Sequence, residues 1–290
     1  MSNKLSQRNH TVSQFLIKNW ADEHGKVWVL DKEKKKIFQC STTKVFVEKN
    51  IYTVQDGQNA PKSDEIERSF AKFETQVAPV FRELVEHARV NQPSELSPLD
   101  ILQIMGFLVL QMWRTPESQN RIIGFDREYF SNIARNQQNF DNHIGDSLIT
   151  ESNIHSDDDL SGYEESNFRA KFAAGELLGQ TEEFYDYAMD HGLDCLVISN
   201  PRRSILLGSH GCCFIERKIG DKHLFSPPMF PVAPDIVLAF SEHPNKFRRL
   251  GHQDSVSEDR FVKELNEATM KYSKRVVAKD KKLLEEYQRY

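Results

Sequence analysis

The sequence has few cysteines, no long apolar run and none of the standard catalytic motifs. Its four cysteines include no Cys-x-x-Cys pair, so neither a disulfide-dense scaffold nor a zinc ribbon is indicated, and we expect reduced thiols. The longest apolar stretch, residues 101–113, contains Gln103 and Gln111. It is well short of the roughly 20 residues that a bilayer-spanning helix requires. We therefore expect no membrane contact and interpret this stretch as a buried helix.

Missing motifs also narrow the enzyme classes. The chain contains no P-loop, no Rossmann glycine fingerprint, no His-Glu-x-x-His zinc motif, no Gly-x-Ser-x-Gly elbow and no EF-hand loop. These absences argue against the ordinary enzymes and calcium-binding proteins that carry those motifs. The polar residues 1–8 lack the apolar core of a signal peptide, so we expect a cytoplasmic location.

The composition itself is that of an ordinary globular protein. Hydrophobic residues make up 39% of the chain, which is too many for a disordered protein. The net charge of −5 does not indicate a protein that coats nucleic acid, although a local basic patch is compatible with it.

The N-terminal residues predict a short helix followed by a small sheet. Apolar residues recur at helical spacing within residues 10–20, and Ser13 stands where it would cap that helix. A β element is predicted over residues 26–54. Its strand-like runs are Lys26–Asp31, Lys36–Gln39 and Lys44–Val47.

Residues 63–192 form the predicted helical centre. Ser63 is the expected cap of its first helix, and Pro79 is expected to kink or break that helix. The segment Ser97-Pro98-Leu99-Asp100 is a strong helix start, and the apolar helix after it should lie in the core. Beyond it we predict a helix from Thr115-Pro116, a loop over residues 136–159 and a helix over residues 164–191.

The C-terminal third has a different pattern. Short β-rich runs separated by proline and glycine fill residues 194–240 and predict a second sheet. These runs are Cys195–Ser199, Ser204–Gly208, Cys212–Glu216 and Asp235–Phe240. Helices are expected over residues 257–288, with a strand at Arg275–Lys279 between them. The whole chain, residues 1–290, is predicted to be one α+β domain: a mostly helical core, a small N-terminal antiparallel sheet and a second β-rich section in the C-terminal third.

Several short motifs occur in an order that resembles a known family. They are His10, Ser13, Phe15-Leu16 and Trp20; Val27-Trp28-Val29; Ile51-Tyr52; Glu67, Glu74 and Ala78-Pro79; Arg114-Thr115-Pro116; Gly208–Cys212; and Phe230–Pro234. Over roughly residues 10–280 this series resembles the microbial family named domain of unknown function 4238. The chain departs from the family pattern where Ser13 replaces a proline, and where His210 and Cys212 replace an aspartate and a proline. The resemblance supplies candidate positions and implies no particular reaction.

Four residues are candidates for catalysis: His10, Glu74, Arg114 and His210. His10 is interpreted either as a general base, metal ligand or phosphate contact, or as a histidine that pins the N-terminal segment by hydrogen bonds to backbone carbonyls. Glu74 lies seven residues after Glu67, on the same stripe of a helix. These carboxylates form either an Arg–Glu clamp with Arg114 that orients helices, or an acid/base or metal-binding pair with His10.

Four further residues are candidates for substrate binding: Gln14, Ser209, Arg202 and Arg203. The two arginines, with Lys246–Arg249, are interpreted either as a phosphate-binding patch or as a solvated surface. No metal site is predicted, because His210, Cys212 and Cys213 lack a standard zinc spacing and a second ligand pair. The sequence identifies no cofactor.

Two functional hypotheses follow. The first is a non-catalytic interaction or regulatory module, which fits the missing aspartate at His210 and the lack of a catalytic motif. The alternative is an enzyme acting on a phosphate-containing substrate such as nucleic acid, as an effector of phage defence. The partner class under the alternative is nucleic acid or a nucleotide. Neither hypothesis requires a membrane, and a homo-oligomer is compatible with both.

Overall fold

A computed structural model describes residues 8–53, 62–90, 96–115, 192–200, 202–219, 222–241, 247–250 and 255–288. The loop predicted at 136–159 and the helices predicted from Thr115-Pro116 and at 164–191 lie outside the described residues. None of the helices in the described ranges is both long and apolar enough to cross a membrane.

Helices and antiparallel sheets occur together, so the predicted α+β class is confirmed. The helices are α1 (Gln14–Ile17, extended by a 3-10 turn at Lys18–Trp20), α2 (Glu65–Arg89), α3 (Pro98–Arg114), α4 (Ser255–Tyr272) and α5 (Lys281–Tyr287). The strands are β1 (Arg8–His10), β2 (Lys26–Asp31), β3 (Lys36–Ser41), β4 (Val47–Lys49), β5 (Gly192–Val197), β6 (Leu207–Gly208), β7 (Glu216–Ile219), β8 (Lys222–Phe225), β9 (Met229–Ala233), β10 (Ile236–Ser241), β11 (Phe247–Leu250) and β12 (Arg275–Ala278).

The N-terminal sheet contains strands from both ends of the sequence. Its order is β3-β2-β12-β6, and Val277 of β12 lies opposite Val29 of β2. The prediction that a third strand at Lys44–Val47 joins this sheet is wrong, because β4 instead pairs antiparallel with β1. The single domain over residues 1–290 stays a prediction, and this shared sheet supports it.

The second predicted sheet is present and has the order β11-β5-β10-β9. Strand β11 is parallel to β5, whereas β5, β10 and β9 pair antiparallel. Two of the predicted runs do not lie in it as strands. Leu207–Gly208 belongs to the N-terminal sheet, and in residues 212–216 Cys213 forms an isolated bridge to Met229 while Glu216 begins β7. Strands β7 and β8 form a separate hairpin.

Helices α2 and α3 pack against this second sheet. Phe81 and Leu84 of α2 meet Phe107 of α3 and strand residues such as Leu193 in one buried cluster. The prediction that Pro79 breaks α2 is wrong, because the helix runs without interruption from Glu65 to Arg89. A proline inside a helix costs about 3 kcal/mol. Burial of apolar side chains on both sides of Pro79 offsets that cost.

The helix starts show where local signals were accurate. The predicted start of α3 is confirmed: the Asp100 amide donates to the Ser97 hydroxyl over 3.2 Å, and the Ser97 amide donates to the Asp100 carboxylate over 2.9 Å. At α2 the predicted cap is displaced by one residue. Asp64 occupies the cap position, and the Ser63 hydroxyl accepts from the Glu65 amide over 3.3 Å.

The N-terminal segment differs most from its prediction. Residues 10–20 were expected to form one helix, but His10 ends strand β1 and α1 begins only at Gln14. The segment is fixed at its far end, where the Trp20 indole N–H donates to the Ile205 carbonyl over 2.8 Å. Asn19 donates to the Val232 carbonyl over 2.6 Å. The segment therefore contacts both the chain just before β6 and strand β9.

Candidate functional site

Arg114, at the end of α3, is the centre of a buried polar cluster. Its side chain is 2% exposed, and each of its three guanidinium nitrogens donates to a protein acceptor. Nη1 donates to Glu74 and, over 3.1 Å, to the Ser13 hydroxyl. Nη2 donates to the His10 carbonyl over 2.5 Å. The guanidinium thereby ties α3, α2 and the N-terminal segment together.

Two aromatic rings lie close to the guanidinium. The Arg114 Cζ atom is 5.6 Å from the ring centre of Tyr52 and 5.3 Å from that of Phe70, within cation–π range. The Tyr52 hydroxyl donates to the Arg114 carbonyl over 2.7 Å and accepts from Nε over 3.4 Å. Burial raises the pKa of Tyr52 to about 12, so the hydroxyl remains protonated and continues to donate.

Glu74 supplies the negative charge that balances the buried guanidinium of Arg114. Its side chain is 21% exposed and accepts from the Ser13 hydroxyl over 2.7 Å as well as from Arg114. Burial opposes a charge on Arg114, but the attraction of Glu74 and the contact with Tyr52 outweigh it and raise the pKa of the guanidinium. The Arg–Glu clamp expected from the sequence is therefore present between Glu74 and Arg114.

Glu67 lies in the same cluster but does not form an ion pair with Arg114 among the described contacts. Asn9, which is 1% exposed, belongs to its surroundings. Burial raises the pKa of Glu67, and Glu74 adds to this effect while Arg114 opposes it. The two glutamates of α2 therefore occupy different electrostatic environments.

The backbone carbonyl of His10 accepts from Arg114, and the His10 ring has separate surroundings. Burial lowers the pKa of the imidazole, and the backbone of Thr42 opposes this effect. Its Nε2 atom is buried and has no hydrogen-bond partner in the described part of the chain. His10 is therefore mostly neutral near pH 7.

Gln111 connects the cluster to the turn that contains His210. Its side-chain amide donates to the Thr11 carbonyl over 2.7 Å, and its oxygen accepts from the Ser13 amide over 3.3 Å. A Cβ atom at Gly211, whose φ is +74°, would come within 2.5 Å of the Gln111 amide nitrogen. The glycine is required by this close approach, and the turn brings the buried His210 beside the cluster.

The four predicted substrate-binding residues have separate environments. Gln14 is half-buried at the start of α1. The Ser209 hydroxyl accepts from the backbone amides of Lys274 and Arg275, over 3.2 and 3.4 Å. Arg202 is exposed, and Arg203 pairs with Asp259 of α4. The structure does not gather these four side chains around Arg114.

The cluster contains atoms of the kinds that bind metals, but their arrangement does not favour a metal. Asn9 and His10 are consecutive residues of β1, so their side chains project to opposite faces of the strand. A guanidinium beside them would repel a cation. In the ranges that the structure describes, no group of three His, Cys, Asp or Glu residues is arranged to hold a metal ion.

An open cleft lies at the edge of the N-terminal sheet. Its volume is about 220 Å³, and its wall includes Thr11, Glu48, Ser209 and Lys274. Asp31 lines the cleft and is paired with Arg275 over 3.3 Å. The cleft thus combines carboxylates with two cationic side chains, and Thr11 and Ser209 lie in segments that also contact the Arg114 cluster.

Several residues of the cluster were not identified from the sequence. Gln111 had a detectable signal, since it is a polar residue in an otherwise apolar helix. Ser13 was noticed only as a replacement for proline and as a cap; its hydroxyl instead donates to Glu74. Asn9 and Thr42 carry no local signal, because their roles depend on contacts with distant segments.

The comparisons with known proteins give a family and no activity. The family model described as protein of unknown function (DUF4238) matches residues 8–282. This span includes every residue of the Arg114 cluster. No curated protein and no solved structure matches the chain.

Proposed function

Because the chain belongs to the DUF4238 family of proteins of unknown function, we propose from its geometry that it is a non-catalytic interaction or regulatory module. The observation that carries the proposal is that Arg114 is buried and donates from all three guanidinium nitrogens to protein atoms. A catalytic or anion-binding arginine needs donors directed at its ligand.

The energetics of a buried ion pair support this proposal. Removing two charges from water costs several kcal/mol per ion, to an order of magnitude, and is tolerated when the geometry and additional hydrogen bonds are good. The Arg114–Glu74 pair has those additional bonds, from Ser13, Tyr52 and the His10 carbonyl. Residues at the family's motif positions thus act together to fix the fold.

The open cleft is the surface that we assign to a partner. Its carboxylates and cations complement a ligand or peptide that carries both signs of charge, and Glu48 and Lys274 are exposed at its wall. We place the module in the cytoplasm. All four cysteines are free thiols, which fits a reducing compartment.

One observation favours the alternative, an enzyme acting on a phosphate-containing substrate such as nucleic acid in phage defence. Among the residues that the structure describes, the buried Nε2 atom of His10 has no hydrogen-bond partner, and it lies within the electrostatic reach of Arg114 and Glu74. In this alternative His10 is the general base, with His210, Glu74 and Arg114 near it. Gln14, Ser209, Arg202 and Arg203 would then contact substrate.

An activity assay separates the two proposals. The full chain, its His10→Ala variant and the control His24→Ala would be incubated with RNA, DNA and nucleotides in the presence of Mg²⁺ or Mn²⁺. His24 is a suitable control because its side chain is 72% exposed. We expect no turnover by any of the three, and a loss of folding stability only in His10→Ala.

Turnover by the parent chain that disappears in His10→Ala, while the circular dichroism spectrum is unchanged, would overturn the module in favour of the enzyme. For the module itself, fluorescence anisotropy with labelled zwitterionic peptides would compare the parent with Lys274→Glu. Weaker binding by the variant is the expected result. Equal binding by both would exclude the cleft as the contact surface.

A further inference from the structure

A second cavity shares the Asp31–Arg275 ion pair with the open cleft. We call it the cationic pocket, because Lys34, Lys44 and Arg275 line it and Asp31 is the one carboxylate among its described lining residues. In the cleft, by contrast, carboxylates outnumber cations. The volume of the cationic pocket is about 200 Å³, which is below the roughly 300–1,000 Å³ of pockets that hold drug-sized ligands. Its charge and size therefore favour a small anion.

The floor of the cationic pocket is one face of the N-terminal sheet. Val29 of β2 lies opposite Phe38 of β3, and Asp31 of β2 lies opposite Arg275 of β12. Side chains of directly opposed residues lie on the same face, and residues two apart in a strand share a face. This face therefore places the apolar Val29 and Phe38 directly beside the ion pair.

The segment between β3 and β4 covers this face. Its Val45 is 2% exposed and belongs to the buried cluster that includes the apolar part of the sheet. The Lys44 amide donates to the Ser41 carbonyl over 2.9 Å. The Thr11 amide donates to the Phe46 carbonyl over 2.8 Å. These bonds hold the covering segment in place, so the pocket is formed without a ligand.

Arg275 has hydrogen-bond donors that the protein does not use. Its Nε atom donates to Asp31 over 3.3 Å, and among the described residues its two Nη nitrogens have no acceptor. Arg114 differs in this respect, since all three of its nitrogens donate to protein atoms. Two Nη groups of one guanidinium suit the two oxygens of a carboxylate.

The Cys40 thiol shows that two of the cations act on the same point. Cys40 is half-buried and lines the pocket. Burial raises the pKa of its thiol, whereas the charges of Lys44 and Arg275 lower it. These cations come from segments far apart in the sequence, and the fold brings both within electrostatic reach of one position in the pocket.

We propose that the cationic pocket binds a small organic monocarboxylate with an apolar body, such as a branched-chain or aromatic acid. The carboxylate accepts from the Nη nitrogens of Arg275, and Lys34 and Lys44 add attraction. The apolar body packs on Val29 and Phe38. A hydrated anion such as phosphate leaves that apolar floor uncovered. The site does not depend on whether the cleft binds a peptide.

Isothermal titration calorimetry with the full chain tests the ligand class. Phenylacetate and isovalerate are the probes, and acetate and inorganic phosphate are the controls that lack an apolar body. We expect both probes to bind, and acetate and phosphate to bind more weakly by roughly tenfold or more, since burial of the apolar body contributes to affinity. No binding of either probe, or equal affinity for acetate and phenylacetate, would overturn the proposal.

Two exposed lysines provide matched variants. Lys44 lines only the cationic pocket and Lys274 only the cleft. Lys44→Glu should weaken phenylacetate binding by about fivefold, whereas Lys274→Glu should leave it nearly unchanged at physiological salt. A peptide that binds the cleft should show the opposite dependence, so the two sites fail separately. Equal weakening by both variants would place the carboxylate outside the cationic pocket and overturn the proposal.

Methyl NMR of the parent chain locates the ligand without any substitution. Val29 and Val45 both line the pocket, and Val262 belongs to a different buried cluster. The ring of phenylacetate should shift the methyl resonances of Val29 and Val45 and leave those of Val262 in place. Saturating phenylacetate that shifts neither Val29 nor Val45 would exclude the pocket as its site.

Discussion

Two arginine–carboxylate pairs of this protein have similar chemistry and opposite surroundings. Arg203 makes a bidentate contact with Asp259, with both distances 2.7 Å, while the two side chains are 47% and 39% exposed. Arg114 contacts only one oxygen of Glu74 in the described contacts, yet its side chain is 2% exposed. The more regular geometry thus lies at the surface, and the more confined charge lies in the interior.

The two pairs show that good hydrogen-bond geometry does not by itself make an ion pair important for stability. An exposed pair exchanges its contacts with water at little cost, so its net value is about 0–1 kcal/mol. Breaking a buried pair leaves a charge without compensation and typically costs about 3–5 kcal/mol. We therefore expect the Arg114 cluster to contribute to the stability of the N-terminal segment and the Arg203 pair to contribute little.

The largest effect is expected for Glu74→Ala. It removes the counter-charge of Arg114 and should lower the free energy of unfolding by about 3–5 kcal/mol, measured by urea denaturation. In the double variant Glu74→Leu with Arg114→Met, both charges are absent. That variant should lose less stability than Glu74→Ala does. A loss below about 1 kcal/mol in Glu74→Ala would place the buried pair in the same class as a surface pair.

Tyr52→Phe should have the next largest effect. It leaves the ring in place and removes the hydroxyl that donates to the Arg114 carbonyl, so a loss of about 1–3 kcal/mol is expected for the unsatisfied buried group. Tyr272→Phe is the control, since that hydroxyl lies 3.4 Å from Glu216 at a half-buried position. Equal thermal shifts in the two variants would contradict a special role for the cluster.

The third prediction concerns His10 and pH. Its folded-state pKa is lowered from 6.5, so the unfolded state binds the extra proton first and stability should fall as pH drops below 6.5, down to the folded-state pKa. His10→Asn keeps a side-chain N–H donor but cannot titrate there. Denaturation at pH 7.5 and 5.5 should show a smaller loss in His10→Asn than in the parent. Identical losses would assign the acid sensitivity to other groups.

The smallest effect is expected for Arg203→Ala. Despite its two short hydrogen bonds, the change should cost about 0–1 kcal/mol, and the loss should shrink further as salt is added. Melting temperatures measured at low and high ionic strength would test this. A loss comparable with that of Glu74→Ala would show that exposure does not distinguish the two pairs.

Local signals in the sequence predicted elements well and their partners poorly. The capping residues Ser97 and Asp100 placed the start of α3 correctly, because a helix cap is decided within one turn. The effect of Pro79 on α2 shows the limit of such local signals. Its penalty is local, and the apolar surface that α2 buries against α3 and the second sheet exceeds it.

The same holds for the polar cluster around Arg114: the sequence indicated its residues but not their partners. The arginine at the end of an apolar helix and the carboxylates seven residues apart were visible in the sequence and did indicate a clamp. The sequence did not distinguish Glu67 from Glu74, since both have the same spacing relative to the apolar face of α2. Their difference arises from the surroundings of Glu67, which include Asn9, 58 positions earlier in the chain, and from Arg114, which donates to Glu74.

Taken by itself, the sequence determined the α+β class, most of the helices and strands, and the family to which the chain belongs, because periodicity, caps and motif order are properties of neighbouring residues. The tertiary structure alone decided that β12 joins β2, that His10 closes a strand, and which glutamate pairs with Arg114. The physical reason is that strand pairing and desolvation depend on segments that meet only after folding.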